Sequence, residues 1–217
     1  MLIIKKDPKS ISAEAFRTLR TNIQYASFDK EMKVILITSA GPSEGKSTVS
    51  SNLALSMTET GKSVLLIDCD LRKPSVHKKF AISNEVGITN FLLGEVTFEK
   101  ATTLYENRLF IMTAGTIPPN PSEMLSSNKL KSFIKNVSKQ FDCVIIDSPP
   151  VMAVTDAQIL ATVSDGVILV VSSGETEKVM ALKAKESLMK VNANFLGAVL
   201  SKVKPEHSKG YGYYAYD

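Results

Sequence analysis

The chain has 217 residues, 44% of them hydrophobic, and a formal net charge of +4. That length and apolar content suit one α/β domain, and so mild a charge does not demand nucleic acid or membrane as a partner. Cys69 and Cys143 lie in or beside apolar runs with no CxxC spacing; buried thiols are expected rather than a disulfide or a zinc site.

The opening Met1–Lys6 is too short an apolar run for a signal peptide, and no run approaches the ~20 residues of a membrane span. A cytoplasmic protein is expected, with any membrane association through a partner. Residues 1–9 read as an extended lead-in. From Ser10 or Ser12, either a good N-cap, a helix runs to about Tyr25, with Phe16, Leu19 and Ile23 as its apolar stripe. Glu14, Arg17 and Arg20 step by threes beside that stripe. By themselves they are a solvated row with one local ion pair, worth only a few tenths of a kcal/mol. Val34–Ile37 is a strand, and Val49–Met57 is helical up to Gly61. Ser63–Ile67 is apolar without alternation, as a strand covered on both faces should be. Gly87–Leu93 is a short helix closed by Gly94. Leu109–Met112 is a strand entering the Pro-rich loop Ala114–Pro121, after which helices begin at Ser122 and at Asn128, the second ending near Gln140. Cys143–Ile146 is a strand, Thr155 or Asp156 caps a helix to Val163, and Gly166–Val171 is a strand. Thr176–Val191 is a helix and Phe195–Leu200 the last strand. His77 and His207 are read as surface residues. Strands alternating with helices give a doubly wound, mainly parallel sheet with helices on both faces. One domain is expected over residues 1–203, followed by an aperiodic tail over 204–217.

Between the first strand and its helix lies Ser39-Ala40-Gly41-Pro42-Ser43-Glu44-Gly45-Lys46-Ser47-Thr48. A strand, a Gly-containing loop and a Gly-Lys-Ser helix start form a phosphate cradle: backbone N–H groups converge on an anion, and the helix N-terminus adds positive potential. Gly41 to Thr48 are the candidate nucleotide binders. Lys46 offers a full charge to the β- and γ-phosphates, and Ser47 offers a hydroxyl to Mg²⁺. Ala40 stands where the pattern usually has Gly, and Gly41 beside it can supply the turn.

Two further strands end in carboxylates, Ser63–Ile67 at Asp68 and Asp70 and Cys143–Ile146 at Asp147. One Asp at a buried strand end commonly caps a turn. Three at two strand ends, in a chain with a phosphate loop, point to a metal–phosphate site at the carboxyl edge of the sheet. Asp147 suits the metal. Asp68 or Asp70 suits an attacking nucleophile. Arg72 and Lys73 are either phosphate contacts or a solvated basic turn.

On these residues the chain resembles the bacterial tyrosine kinases that regulate capsular and extracellular polysaccharide synthesis, in the form made as a separate cytoplasmic polypeptide. The resemblance covers nearly the whole chain: Ala40–Ser47 as Walker A, Val64–Arg72 as the family's second Walker motif, Ile145–Pro150 as Walker B, the Glu14-x-x-Arg17-x-x-Arg20 helix and a C-terminal tyrosine cluster. The core motifs are shared with deviant-Walker partition and cell-division ATPases, but those carry an extra lysine where this chain reads Ser39-Ala40-Gly41. The resemblance implies a P-loop NTPase fold, ATP and Mg²⁺ as cofactors, and Lys46, Asp68, Asp70 and Asp147 as catalytic residues. Ser47, Asp70 and Asp147 would lie on the metal side. Asp68 is the preferred base for the phenolic proton, with Asp70 supporting the metal or the base. It further implies autophosphorylation of Tyr211, Tyr213, Tyr214 and Tyr216, four of the chain's six tyrosines. It implies a homo-oligomeric ring, an octamer in the family, contacted through Glu14, Arg17 and Arg20. The other implied partners are the cytoplasmic segment of a membrane activator, which would recruit the kinase to the inner face of the membrane, protein tyrosine substrates and a phosphotyrosine phosphatase. Many related ATPases read adenine with an Asn at the end of the last strand; here Ser201 stands in that region and is not assigned to the site. The alternative is a partition-type ATPase switch without a tyrosine acceptor. A nucleotide-binding scaffold without catalysis is a second.

Overall fold

The computed structural model describes residues 2–26, 32–106 and 108–203. The expected tail, with Tyr211, Tyr213, Tyr214, Tyr216 and His207, lies outside the described residues.

The chain opens with α1 (Ile3–Lys6) and α2 (Ile11–Tyr25), followed by β1 (Val34–Ser39), α3 (Lys46–Thr58) and β2 (Val64–Asp68). Next come α4 (Val76–Phe80), α5 (Ile88–Leu93), α6 (Phe98–Ala101), β3 (Thr103–Glu106), β4 (Leu109–Met112), α7 (Pro121–Ser126) and α8 (Asn128–Gln140). β5 (Cys143–Asp147), α9 (Asp156–Ala161), β6 (Gly166–Ser172), α10 (Lys178–Met189) and β7 (Phe195–Ser201) complete it. The strands form one sheet in the order β3-β4-β2-β5-β1-β6-β7, parallel except for β3, which pairs antiparallel to β4.

The four central strands are apolar on both sides because both sides are covered. Side chains alternate across a strand, so Leu36, Leu65, Val144 and Val167 pack toward α8, α9 and α10, with Leu130, Val137, Leu160 and Leu188. Ile35, Leu66, Ile145 and Ile168 pack the other way, toward α1, α2 and α3, with Ile4, Ile23, Val49 and Leu53. α3 lies between the sheet and α2 and is buried over nearly its whole length, polar Ser50, Ser51, Asn52 and Ser56 included. Its first turn is thereby fixed against β1, and that first turn carries Lys46 and Ser47.

Several elements depart from the sequence expectation. Residues 3–6 are helical rather than extended, because Ile4 is buried and its N–H donates to Asn52 Oδ1 at 3.2 Å. Of the two candidate caps for α2, Ser10 is the one used; its hydroxyl accepts from the Ala13 N–H. α4, α6 and β3 carry no strong sequence signal. α10 starts at Lys178 rather than Thr176 and ends at Met189. His77 is half-buried on α4, not a surface residue.

The loop after β4 and the start of α5 touch backbone to backbone. A Cβ on Gly87 would sit 2.1 Å from the Thr113 carbonyl oxygen and 2.5 Å from the Gly115 nitrogen. Gly87→Ala is expected to cost about 1–3 kcal/mol as overpacking, at about 2–4 °C of thermal midpoint per kcal/mol for a chain of this size. Calorimetry checks this; an unchanged midpoint would mean that the two segments separate without cost.

Candidate active site

The parallel sheet brings the carboxyl ends of β1, β2 and β5 side by side, with Asp68 and Asp147 directly opposite each other in the β2–β5 pairing. After β1 the chain enters the phosphate loop, where Ser43 and Gly45 both take left-handed conformations, φ 61° and 91°. Gly45 adopts this at no steric cost and precedes Lys46, the first residue of α3.

Lys46 Nζ lies 2.7 Å from Asp70 Oδ2, 3.6 Å from Asp147 Oδ2 and 3.3 Å from Ser47 Oγ. Ser47 Oγ donates to Asp147 Oδ2 at 2.5 Å. Asp147 Oδ1 is buried and has no hydrogen-bond partner among the described residues. Burial alone would lower the lysine's pKa, but Asp147 and Asp70 outweigh it, and the ammonium is held above its usual value. Burial raises the Asp147 carboxyl, against the pull of Lys46.

Asp68 is fully buried and does two things. Its Oδ2 accepts from the backbone N–H groups of Ser75 and Val76, at 3.0 and 2.9 Å, and so starts α4; its Oδ1 accepts from Asp70 N–H at 3.1 Å. Burial, then the charge of Asp147, push its pKa up to about 7, although those N–H groups and Lys46 pull the other way. Asp70 also caps the turn, accepting from Lys73 N–H at 3.0 Å.

Arg72 is an exposed charge held in an ion pair rather than free in solvent. Its Nε and Nη2 reach the two oxygens of Asp156 at 2.9 and 3.3 Å, and Nη2 also donates to Ser122 Oγ at 3.0 Å. Asp156, buried at the start of α9, therefore fastens the Asp68–Lys73 turn. Asp156 reads as an N-cap in sequence, and its ion pair spans 84 positions, beyond any local pattern. Lys73 is exposed.

Glu44 is buried and turned back into its own loop. Its Oε2 accepts from Ala40 N–H at 2.9 Å, and its Oε1 accepts from Thr176 Oγ1 at 2.5 Å. Ser201 Oγ donates to the Glu44 carbonyl at 2.6 Å. Thr176 and Ser201 thus brace the phosphate loop through Glu44, the first taken as a helix start in sequence and the second not assigned to the site.

Glu14, Arg17 and Arg20 lie away from this edge, on α2. Arg17 grips Glu59 at the end of α3 with two bonds of 2.9 Å, and reaches Glu14 at 3.3 Å. Arg20 donates to the Ser56 carbonyl and reaches Glu59 at 3.3 Å.

The donor set suits Mg²⁺. That ion takes one or two protein oxygens together with phosphates and water, and Ser47 Oγ, Asp147 and its unpartnered Oδ1 are such oxygens. Among the described residues no cluster of His, Cys, Asp and Glu would cage a metal by itself.

A family model described as an AAA domain matches residues 32–195. The tyrosine-protein kinase YwqD of Bacillus subtilis is 49% identical over 98% of this chain and 90% of its own length. The chain belongs to the bacterial tyrosine-protein kinases. Solved members of the family share its fold. The chimerical protein CapA2B2 is 38% identical, with a TM-score of 0.89 over 92% of this chain and 88% of that one. The kinase domain of the Escherichia coli tyrosine kinase ETK is 29% identical, with a TM-score of 0.88 over 100% of this chain and 84% of that one. The chain is thus an α/β P-loop kinase. Among its described residues no helix is long and apolar enough to cross a membrane.

A carboxyl held near pH 7 is protonated below that pH and cannot accept a proton. If Asp68 takes the phenolic proton, kcat/KM, which reports the free enzyme, rises with pH through about 7. In Asp68→Asn the rate falls by about 10²–10⁴ and that rise disappears. A wild-type profile flat between about pH 6 and 8 would contradict the assignment.

Proposed function

We propose that this kinase transfers the γ-phosphoryl group of ATP to the tail tyrosines Tyr211, Tyr213, Tyr214 and Tyr216 of a neighbouring copy, within a ring. In that reading it controls capsular or extracellular polysaccharide synthesis, under a membrane activator's cytoplasmic segment that recruits it to the inner face of the membrane. Other protein tyrosines would serve as substrates, and a phosphotyrosine phosphatase would reverse the modification. The observation that carries the chemistry is the convergence of Lys46, Ser47, Asp70 and Asp147 within hydrogen-bond reach at the mouth of the phosphate loop.

In the reaction the bond from the γ-phosphorus to the bridging oxygen of ADP breaks as a bond to the phenolic oxygen forms. The backbone N–H groups of the Gly41–Thr48 loop, Pro42 excepted, hold the phosphates. Lys46, now paired with Asp70 and Asp147, turns its charge to the β- and γ-oxygens. Asp68 accepts the phenolic proton, with Asp70 beside it. Ser47 and Asp147 would hold Mg²⁺, which neutralises phosphate charge when bound. The transition state is loose, so positioning and charge supply most of the acceleration.

The tail follows β7, whose end lies at the same sheet edge as the phosphate loop. From β7 to β2 is four strand spacings, roughly 19 Å at about 4.8 Å each. Residues 205–217 span at most ~45 Å, enough to reach a neighbour's site. Several phosphates, each of about −1.5 to −2 charges, would then repel one another across the ring. Glu14, Arg17 and Arg20 are the proposed ring contact. Glu14 is the most exposed of them, at 69% of its side chain, and the arginines are set by Glu59.

Incubation with ATP and Mg²⁺, with the activator's cytoplasmic segment added, should label the four tail tyrosines in site-resolved mass spectrometry. ADP release with unmodified tyrosines would favour the ATPase switch instead. Arg17→Ala with Arg20→Ala should convert the ring to smaller species in light scattering, and an unchanged oligomer would reject that contact.

A further inference from the structure

Ser201 and Lys202 form the last described turn before the tail, and both are fastened to the nucleotide side of the molecule. Ser201 Oγ donates to the Glu44 carbonyl at 2.6 Å, and also lies 3.3 Å from the Val171 carbonyl. A Cβ on Gly45 would be only 3.5 Å from Ser201 Cβ, so the end of β7 rests on the phosphate loop just before Lys46. Lys202 is left-handed, φ 53°, which turns the chain sharply as it leaves the sheet. Lys202 Nζ meets Glu175 Oε2 at 2.5 Å, and Ser172 Oγ donates to the same oxygen at 2.9 Å. The loop between β6 and α10 is tied to the same point, through Thr176 Oγ1 to Glu44 Oε1 and Ser173 N–H to the Ser201 carbonyl.

Glu44 is therefore a three-way joint. Its carboxylate holds the first N–H of the phosphate loop, its other oxygen holds Thr176, and its backbone carbonyl holds Ser201. An Asn in place of Ser201 could present its amide to a base. The Ser201 hydroxyl instead has its single proton committed to the loop. The position is used for anchoring.

We propose that Ser201 is a positioning residue that fastens the root of the tail to the phosphate loop, so that filling the loop with nucleotide also fixes the direction in which the tail leaves. This rests on the reading of the tail as phosphoryl acceptor. Ser201 touches no reacting atom. It acts through Glu44 and through the turn at Lys202. The lost hydrogen bond is a net contribution of the usual size, which corresponds to about fivefold in rate.

The test uses the full-length chain as wild type, Ser201→Ala and Ser201→Thr, with activator segment, ATP and Mg²⁺. Tail labelling is read by mass spectrometry. Phosphorylation of an added peptide of sequence 205–217 is read in parallel, on a background with the four tail tyrosines changed to Phe. Amide hydrogen exchange at Lys202 and Val203 is followed with and without ADP and Mg²⁺. Ser201→Ala should slow tail labelling about fivefold and leave peptide phosphorylation and ATP affinity within about twofold. Nucleotide should protect the Lys202 and Val203 amides in wild type and in Ser201→Thr, which keeps the hydroxyl, but not in Ser201→Ala. Equal loss of tail and peptide phosphorylation, or exchange indifferent to the hydroxyl, would overturn the proposal. If wild type labels the peptide but never its own tail, the acceptor reading fails, and the exchange result still decides the anchoring.

Discussion

Lys46 is one ammonium among three buried carboxylates, and the carboxyl edge of the sheet is arranged around that imbalance. Desolvated charges of one sign are costly, and the fold meets the cost with specific donors. Asp68 accepts three backbone N–H bonds, Asp70 accepts one and the lysine, and Asp147 takes the Ser47 hydroxyl. What remains uncompensated is Asp147 Oδ1 and a carboxyl at Asp68 raised to about 7. Both are the kind of perturbation that a metal–phosphate ligand and an incoming phenol would relieve.

Those donors exist because of the parallel sheet. β1, β2 and β5 end together only because crossover helices cover both faces. α3 can bury its first turn only because Ile35, Ile37, Leu66 and Ile145 form an apolar wall beneath it. Asp68 links site and fold directly: the oxygens that would serve chemistry also start α4 and set the turn that carries Asp70. Arg72 and Asp156 tie that turn to α9 from the far side. The binding edge is thus held from both flanks, by the Asp156 ion pair near β5 and by the Glu44 joint near β6 and β7.

Most of this is legible in the sequence where the signal is local or repeated. Apolar runs ending in Asp, and a Gly-Lys-Ser loop between strand and helix, give the parallel sheet and bring Lys46, Ser47, Asp70 and Asp147 to one edge. What is not legible is what depends on long-range partners. α4 is capped by a carboxylate seven or eight positions earlier, and α1 hangs on Asn52. β3 is an exposed edge strand with no buried face to impose alternation. Arg72 and Glu44 appear in sequence as generic charged residues of a turn and a loop. Their partners, Asp156, Thr176 and Ser201, lie 84, 132 and 157 positions away. The arginine row on α2 is read correctly as polar, but its grip on Glu59 turns a solvated face into a clamp between two helices.

The central claim is that Asp147 completes a metal–phosphate site with Ser47 and Lys46. Calorimetric titration of ATP, with and without Mg²⁺, on wild type and Asp147→Asn tests it most directly. Mg²⁺ should tighten ATP binding in wild type. Asp147→Asn should lose at least about tenfold of that gain, near 1.4 kcal/mol, while metal-free ATP binds as well or better because a negative charge has left the cradle. An equal loss with and without Mg²⁺ would mean that Asp147 only supports the loop, and would contradict the account.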